Sequence, residues 1–146
     1  MKPRTRARAL ALQVLYEVDI ANHPPADTLQ SRLEESPMAD NLSEFARQII
    51  FGVLPLTPHL DLLIARYAPE WPLDQIAAID RNILRIALWE FAVLRETPIK
   101  VAINEAVELA KLYGSDSAPR FVNGVLGALA DHQFDIQQAL PRGMEP

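Results

Sequence analysis

Lys2, Arg4, Arg6 and Arg8 stand ahead of the first acidic residue, Glu17, which makes the start of the chain strongly positive on a molecule of net charge -5. Cations in the first turns of a helix oppose its macrodipole, at about 0.3 to 1 kcal/mol each when exposed. Such a cluster therefore calls for an external counter-charge. Phosphate oxygens would supply one, and release of their counterions would make binding salt-dependent. A solvated, solubilising N-terminal arm is the competing reading. Tyr16, Tyr113 and Phe121 offer faces on which single-stranded bases could stack. The alternative for each ring is the core, and the spacing favours Phe121 over Tyr113 as the accessible one.

Other chemistry is poorly supplied. His23, His59 and His132 lack the paired spacing of a metal-binding helix, and Glu105 and Glu108 have no histidine within a turn. Ser115 and Ser117 follow Gly114 without the strand-turn-helix frame of a nucleophile elbow and read as helix caps. Gly124 and Gly127 sit among Val122, Val125, Leu126 and Leu129, where close helix packing accounts for them better than an RNA-clamping loop. There is no cysteine, phosphate loop or dinucleotide fingerprint. The expectation is a protein that binds rather than catalyses, with no metal and no cofactor.

The elements that would carry these residues are helical. Ala7, Leu10, Val14, Val18 and Ala21 form one stripe that Pro24-Pro25 stops; Leu29 and Leu33 mark a minor second helix. Phe45, Ile49 and Val53 form a third stripe before Pro55. Thr57-Pro58 has the look of an N-cap and first-turn proline for a fourth helix bearing Leu60, Leu63, Ile64 and Tyr67. Ile76, Ile79, Ile83, Ile86, Ala87 and Phe91, widened by Leu84 and Leu88, predict a central helix. Ile103, Ala106, Val107, Ala110 and Tyr113 predict another, closed by Gly114, and Val122, Val125, Leu126 and Leu129 a last one. No stretch alternates with period two between hairpin signals. The fold class expected is all-α, a single-domain bundle of about six or seven helices over residues 1–135, with 136–146 a flexible tail.

The 146 residues, 49% hydrophobic and 23% charged, suffice for one core. By inspection no apolar run approaches the roughly 20 residues of a membrane span, and the basic start leads into an amphipathic stretch. A soluble, cytoplasmic protein without membrane contact is expected.

The run Lys100-Val-Ala-Ile-Asn-Glu-Ala-Val-Glu-Leu-Ala-Lys-Leu-Tyr-Gly114, followed by Pro119-Arg-Phe-Val-Asn-Gly-Val-Leu126, resembles the C-terminal signature of the NusB family. Ile79-Asp-Arg-Asn-Ile-Leu-Arg-Ile-Ala-Leu-Trp-Glu90 is similar to that family's central helix, and Arg6-Ala-Arg8 through Tyr16 to its arginine-rich first helix. Ala21 to Arg47 matches least. The resemblance implies bacterial transcription antitermination: binding of the boxA element of ribosomal RNA transcripts, pairing with the small-subunit ribosomal protein NusE, and membership of an RNA polymerase antitermination complex. It places Lys2, Arg4, Arg6 and Arg8 on the RNA surface with Tyr16, Tyr113 and Phe121 near it. Asp80 takes the position of an acidic residue facing NusE, with Arg81, Leu84 and Arg85 as its helical neighbours. In the loop before Phe121 many relatives read Glu-Asp-Ser-Pro where this chain has Asp116-Ser-Ala-Pro119, so the aspartate that relatives place near RNA is here Ser117. Two other readings compete: an RNA-targeting domain like the NusB-like portion of ribosomal RNA cytosine methyltransferases, and a homodimeric helical scaffold.

Overall fold

A computed structural model describes residues 1–140, and within them every regular element is helical. In chain order these are α1 (Pro3–Ala21), α2 (Pro25–Glu35), α3 (Asp40–Val53), α4 (Thr57–Tyr67), α5 (Ala78–Trp89), α6 (Ile99–Tyr113), α7 (Ala118–Ala130) and α8 (Gln133–Ala139). Seven are the stripes expected above. Proline occupies a first-turn position in α1, α2, α4 and α7, where its missing N–H costs no helical hydrogen bond.

α5 is the axis of the bundle and packs against α1, α3, α4, α6 and α7. Every residue from Asn82 to Leu94 is buried. A helix packed on so many sides has little solvent face, so its polar residues Arg81, Asn82 and Arg85 are turned to carboxylates of α1 and α4. It runs directly into a wide π turn, Glu90–Leu94, closed by the Arg95 N–H donating to the Glu90 carbonyl at 2.9 Å. Arg95 then adopts the left-handed conformation (φ 62°) that ends the helix.

Several local expectations change. Thr57 does not cap α4: a 3₁₀ turn at Leu54–Leu56 joins it to α3, and the Thr57 hydroxyl donates back to the Val53 carbonyl at 3.0 Å. The stretch Asp40–Tyr67 is thereby long and apolar enough, by length and composition, to cross a bilayer, contrary to the expectation that no such run exists. Its Phe45, Ile49, Ile50, Val53, Leu60, Leu63 and Ile64 lie in the core of the bundle instead. Gly114 closes α6 in an extended conformation rather than a left-handed cap. It is needed for space: a Cβ there would meet Ala118 Cβ at 2.5 Å and the Ala110 carbonyl at 2.9 Å. Gly124 and Gly127 are not packing glycines, since a Cβ at either would meet nothing within 4 Å. At Gly52 a Cβ would fall 2.3 Å from the Trp89 indole, so α3 can lie against α5 only with glycine there.

The segment expected to fray after residue 135 is ordered as far as it is described. Ile136 is fully buried and Leu140 nearly so. Gln137 donates to the Phe91 carbonyl at 2.9 Å, and the Arg95 guanidinium donates to the Gln137 carbonyl. Two apolar residues four apart, with a backbone carbonyl claimed by a side chain of the π turn, hold α8 onto the bundle. The rest of the expected tail, residues 141–146, lies outside the described residues.

Candidate RNA and partner surfaces

The four N-terminal cations divide sharply. Lys2 and Arg4 are exposed and Arg6 is partly buried; none has a carboxylate partner among the described residues. The Arg4 guanidinium carbon lies over the Phe45 ring, 3.7 Å from its centroid, which holds the group in place while leaving its charge uncompensated by a carboxylate. Arg6 donates to the Ser36 hydroxyl at 2.7 Å and the Pro37 carbonyl at 3.1 Å, tying α1 to the α2–α3 connection without being neutralised.

Arg8, in contrast, turns inward, and the expectation that it contacts RNA is corrected. Its guanidinium is bidentate on Glu90, with Nε and Nη2 each 2.8 Å from a carboxylate oxygen, and Nη1 reaches Glu105 at 3.0 Å. Only 5% of the Arg8 side chain and 1% of that of Glu90 are exposed. Thr97 donates to Glu90 at 2.9 Å, and Thr5 donates to Glu105 at 2.6 Å. Burial alone would make the guanidinium easier to deprotonate, but the Glu90 hydrogen bonds and charge outweigh it and hold Arg8 more firmly protonated than usual. This cluster clamps α1 to the π turn and α6, so Arg8 positions the basic face without belonging to it.

Beside Arg6 a cleft of about 300 Å³ opens between α1, α2 and the end of α6, lined among others by Arg6, Gln13, Arg32, Met38 and Tyr113. Tyr113 is 37% exposed. Tyr16 is partly buried one turn beyond Gln13 on α1. Phe121 does not join this group and is less exposed than Tyr113, the reverse of the order expected from spacing. It meets Trp71 edge to face, with centroids 5.9 Å apart, and lines a second pocket with Asp80, Ser117, Glu70 and Ile76.

The residues expected to face a partner also separate. Leu84 is fully buried and Arg85 nearly so, and neither can present a docking surface. Arg85 is bidentate on Asp61 at 2.8 Å and reaches Asp19 at 3.2 Å. Arg81 bonds Asp19 at 2.8 Å, and Asn82 donates to the same oxygen at 2.9 Å. Burial would push the Asp19 carboxyl up, but Arg81, Asn82 and Arg85 together keep it below the ordinary carboxylate value. This network fastens α1 and α4 to α5. Asp80 is 7% exposed and forms part of the pocket wall; its Oδ1 is buried without a hydrogen-bond partner among the described residues, and burial pushes the carboxyl up.

Sequence reasoning passed over Glu90, Asp19, Asp61 and Trp71, and weighed Glu105 only as a metal ligand. A signal existed for Glu90: it is the only charge between Arg85 and Arg95, within Ile86-Ala-Leu-Trp-Glu90-Phe-Ala-Val-Leu94, and a carboxylate in such a run needs a buried cation.

Comparisons agree with this architecture. The NusB family profile matches residues 5–131. A transcription antitermination protein NusB of Roseiflexus castenholzii is 49% identical over 128 residues, covering 86% of this chain and 90% of the relative. Among solved structures, NusB from T. maritima superposes with a TM-score of 0.80 at 32% identity, covering 92% of this chain and 99% of that one. The crystal structure of antitermination factors NusB and NusE in complex with dsRNA contains a chain with a TM-score of 0.81 at 26% identity, covering 90% and 98%. With the family profile spanning most of the chain and a relative near half identity, this all-helical protein belongs to the NusB family.

Proposed function

We propose that the chain is a bacterial, cytoplasmic transcription antitermination factor that binds boxA RNA together with NusE and enters the RNA polymerase antitermination complex. It works by binding and not by turnover. The observation that carries the RNA half is the set of uncompensated cations Lys2, Arg4 and Arg6 at the open end of α1 on an otherwise acidic molecule. Arg6 lines the cleft that exposes Tyr113, which pairs a phosphate contact with a stacking face. Tyr16, partly buried one turn beyond Gln13 on α1, is the second ring assigned to RNA in this reading. The partner half rests on Asp80, with Phe121 in the same pocket, while Arg81 is turned to Asp19 instead. The solved complex of a related NusB with NusE and double-stranded RNA supports one chain of this fold engaging both kinds of ligand.

The test is a three-component titration of the chain with boxA RNA, with NusE, and with both. Replacing Lys2, Arg4 and Arg6 by glutamine is expected to weaken RNA binding and to reduce the log-log salt slope by about 0.7 for each phosphate no longer neutralised. Losing the Arg4 contact with Phe45 and the Arg6 hydrogen bonds to Ser36 and Pro37 should cost about 1 to 2 kcal/mol of stability, so the titrations are run well below the melting temperature of the variant. An unchanged salt slope would return these residues to the role of a solubilising arm.

A further inference from the structure

The cleft beside Arg6 is built along one face of α1, where Arg6, Ala9, Leu10 and Gln13 follow at helical spacing. Ala9 and Leu10 are nearly buried and form an apolar floor, to which Met38 and Tyr113 add two further faces. Arg6 and Gln13 are about 10 Å apart along the helix axis, close to the reach of a nucleotide from its phosphate to the far edge of its base. The polar groups are engaged unevenly. Arg32 gives Nε and Nη2 to Glu17 at 2.9 and 2.7 Å, and its Nη1 reaches the side-chain oxygen of Gln13 at 3.4 Å. A guanidinium only donates, so Gln13 turns its oxygen to Arg32 and keeps its NH2 group for the cleft. The Glu35 carboxylate, on α2, lines the same cleft with no hydrogen-bond or charge partner among the described residues.

A carboxylate on a surface that binds a phosphate chain lowers affinity for every sequence. That loss is offset only where the carboxylate reads a donor that some bases present and others lack. Guanine presents O6, N1–H and its 2-amino group in a row, an acceptor followed by two donors, and can satisfy an amide NH2 and a carboxylate with all three. Adenine and cytosine offer a carboxylate a single amino group, and uracil sets a carbonyl oxygen against it. We propose that the cleft takes one unpaired base of the RNA and selects guanine, with Gln13 donating to O6 and Glu35 accepting from N1–H and the 2-amino group. Arg6 holds the phosphate of that nucleotide, and Tyr113 stacks on its ring. This rests on the reading that the face around Arg6 and Tyr113 binds RNA, and it names what that face reads.

The first arm measures, by fluorescence anisotropy at low salt, binding of the full-length chain to uridine heptamers carrying one central guanosine, inosine or adenosine, and to the all-uridine strand. Guanosine should exceed inosine, which lacks the 2-amino group, by about three- to tenfold, and the all-uridine strand by more. Glu35 has no partner to lose, so Glu35→Gln should fold normally and move two readouts in opposite directions. The all-uridine strand should bind more tightly because a negative charge is gone, while the preference for guanosine over inosine falls to about unity. A merely solvated carboxylate would strengthen all strands alike. Equal binding of guanosine and inosine strands by the wild type, or an unchanged ratio in Glu35→Gln, would overturn guanine selection while leaving RNA binding in place. Failure of every strand to bind would overturn the RNA reading instead, and a second arm would still decide the cleft. It titrates the isotope-labelled chain with guanosine, inosine and uridine monophosphates, following the Gln13 side-chain amide and the Tyr113 ring. Saturable shifts that weaken in that order are expected, and equal or absent shifts would overturn the proposal.

Discussion

Arg8→Met removes the cation from a carboxylate that has almost no water to turn to. Glu90 would keep only the Thr97 hydroxyl, with 1% of its side chain exposed. Breaking a buried ion pair from one side typically costs about 3 to 5 kcal/mol, mostly for the charge left behind. At this chain length that corresponds to a fall of about 10 to 15 °C in melting temperature. Glu90→Gln is milder, about 1 to 2 kcal/mol, because Arg8 retains Glu105 at 3.0 Å and gains an amide oxygen. In the double variant Arg8→Met/Glu90→Gln neither residue carries a charge into the cluster, and stability should return to within about 2 kcal/mol of wild type. Urea and thermal unfolding of the four proteins close the cycle, and a coupling energy of about 2 kcal/mol or more is expected. Additivity within about 0.5 kcal/mol would refute the clamp. So would a folded Arg8→Met whose RNA binding has a shallower salt dependence, since that would put Arg8 on phosphate after all.

Asp80→Asn should be stabilising at neutral pH, by about 1 kcal/mol or roughly 3 °C. With its carboxyl pushed up by burial, the folded chain binds that proton more tightly than the unfolded one. The ionised group therefore costs stability at neutral pH, and the gain from asparagine shrinks as pH falls through the raised value toward the ordinary one. Asp19 runs the other way: held low, it stabilises at neutral pH, and its contribution is lost as pH falls through the lowered value, so Asp19→Asn should narrow the difference between melts at neutral and acid pH. Gly52→Ala should cost about 1 to 3 kcal/mol and perturb tryptophan fluorescence, because the Trp89 ring it strikes is itself buried. Ile136→Ala should cost about 2 to 5 kcal/mol in chemical denaturation, and a negligible loss would return α8 to the role of a tail.

The helices were legible because proline interrupts almost every connection and the stripes have a clear period. The faces of α5 were not. Periodicity distinguishes an inside from an outside, and a helix packed against five others has little outside, so Leu84 and Arg85 looked available beside Asp80 when Leu84 is fully buried and Arg85, held by Asp61 and Asp19, lies in the wall of a different cleft. Arg8 was misjudged for the opposite reason: a run of cations looks like one surface. Yet Arg8 falls four residues before Leu12 and seven before Leu15, both core positions, whereas Arg6 stands off that line and Arg4, though on it, belongs to the exposed first turn over Phe45. Phe121 and Tyr113 exchanged exposure because the wall that covers Phe121 is Trp71, fifty residues earlier in a connection without regular periodicity. α8 carried its signal in Ile136 and Leu140, four apart, in a segment too short to stand alone.

The clamp on α1 also sets a timetable for synthesis. Arg8 closes on Glu90 and Glu105, so although α1 can meet α2 and α3 earlier, the clamp itself cannot close until nearly a hundred further residues have been made. At about 5 to 20 residues per second, that interval is roughly 5 to 20 s. Throughout it, Arg8 stands free beside Lys2, Arg4 and Arg6, and the emerging chain presents one more positive charge to the ribosomal RNA around it than the finished protein does. Docking of α1 withdraws that charge, which makes the nascent segment a stronger and less selective polyanion binder than the folded product.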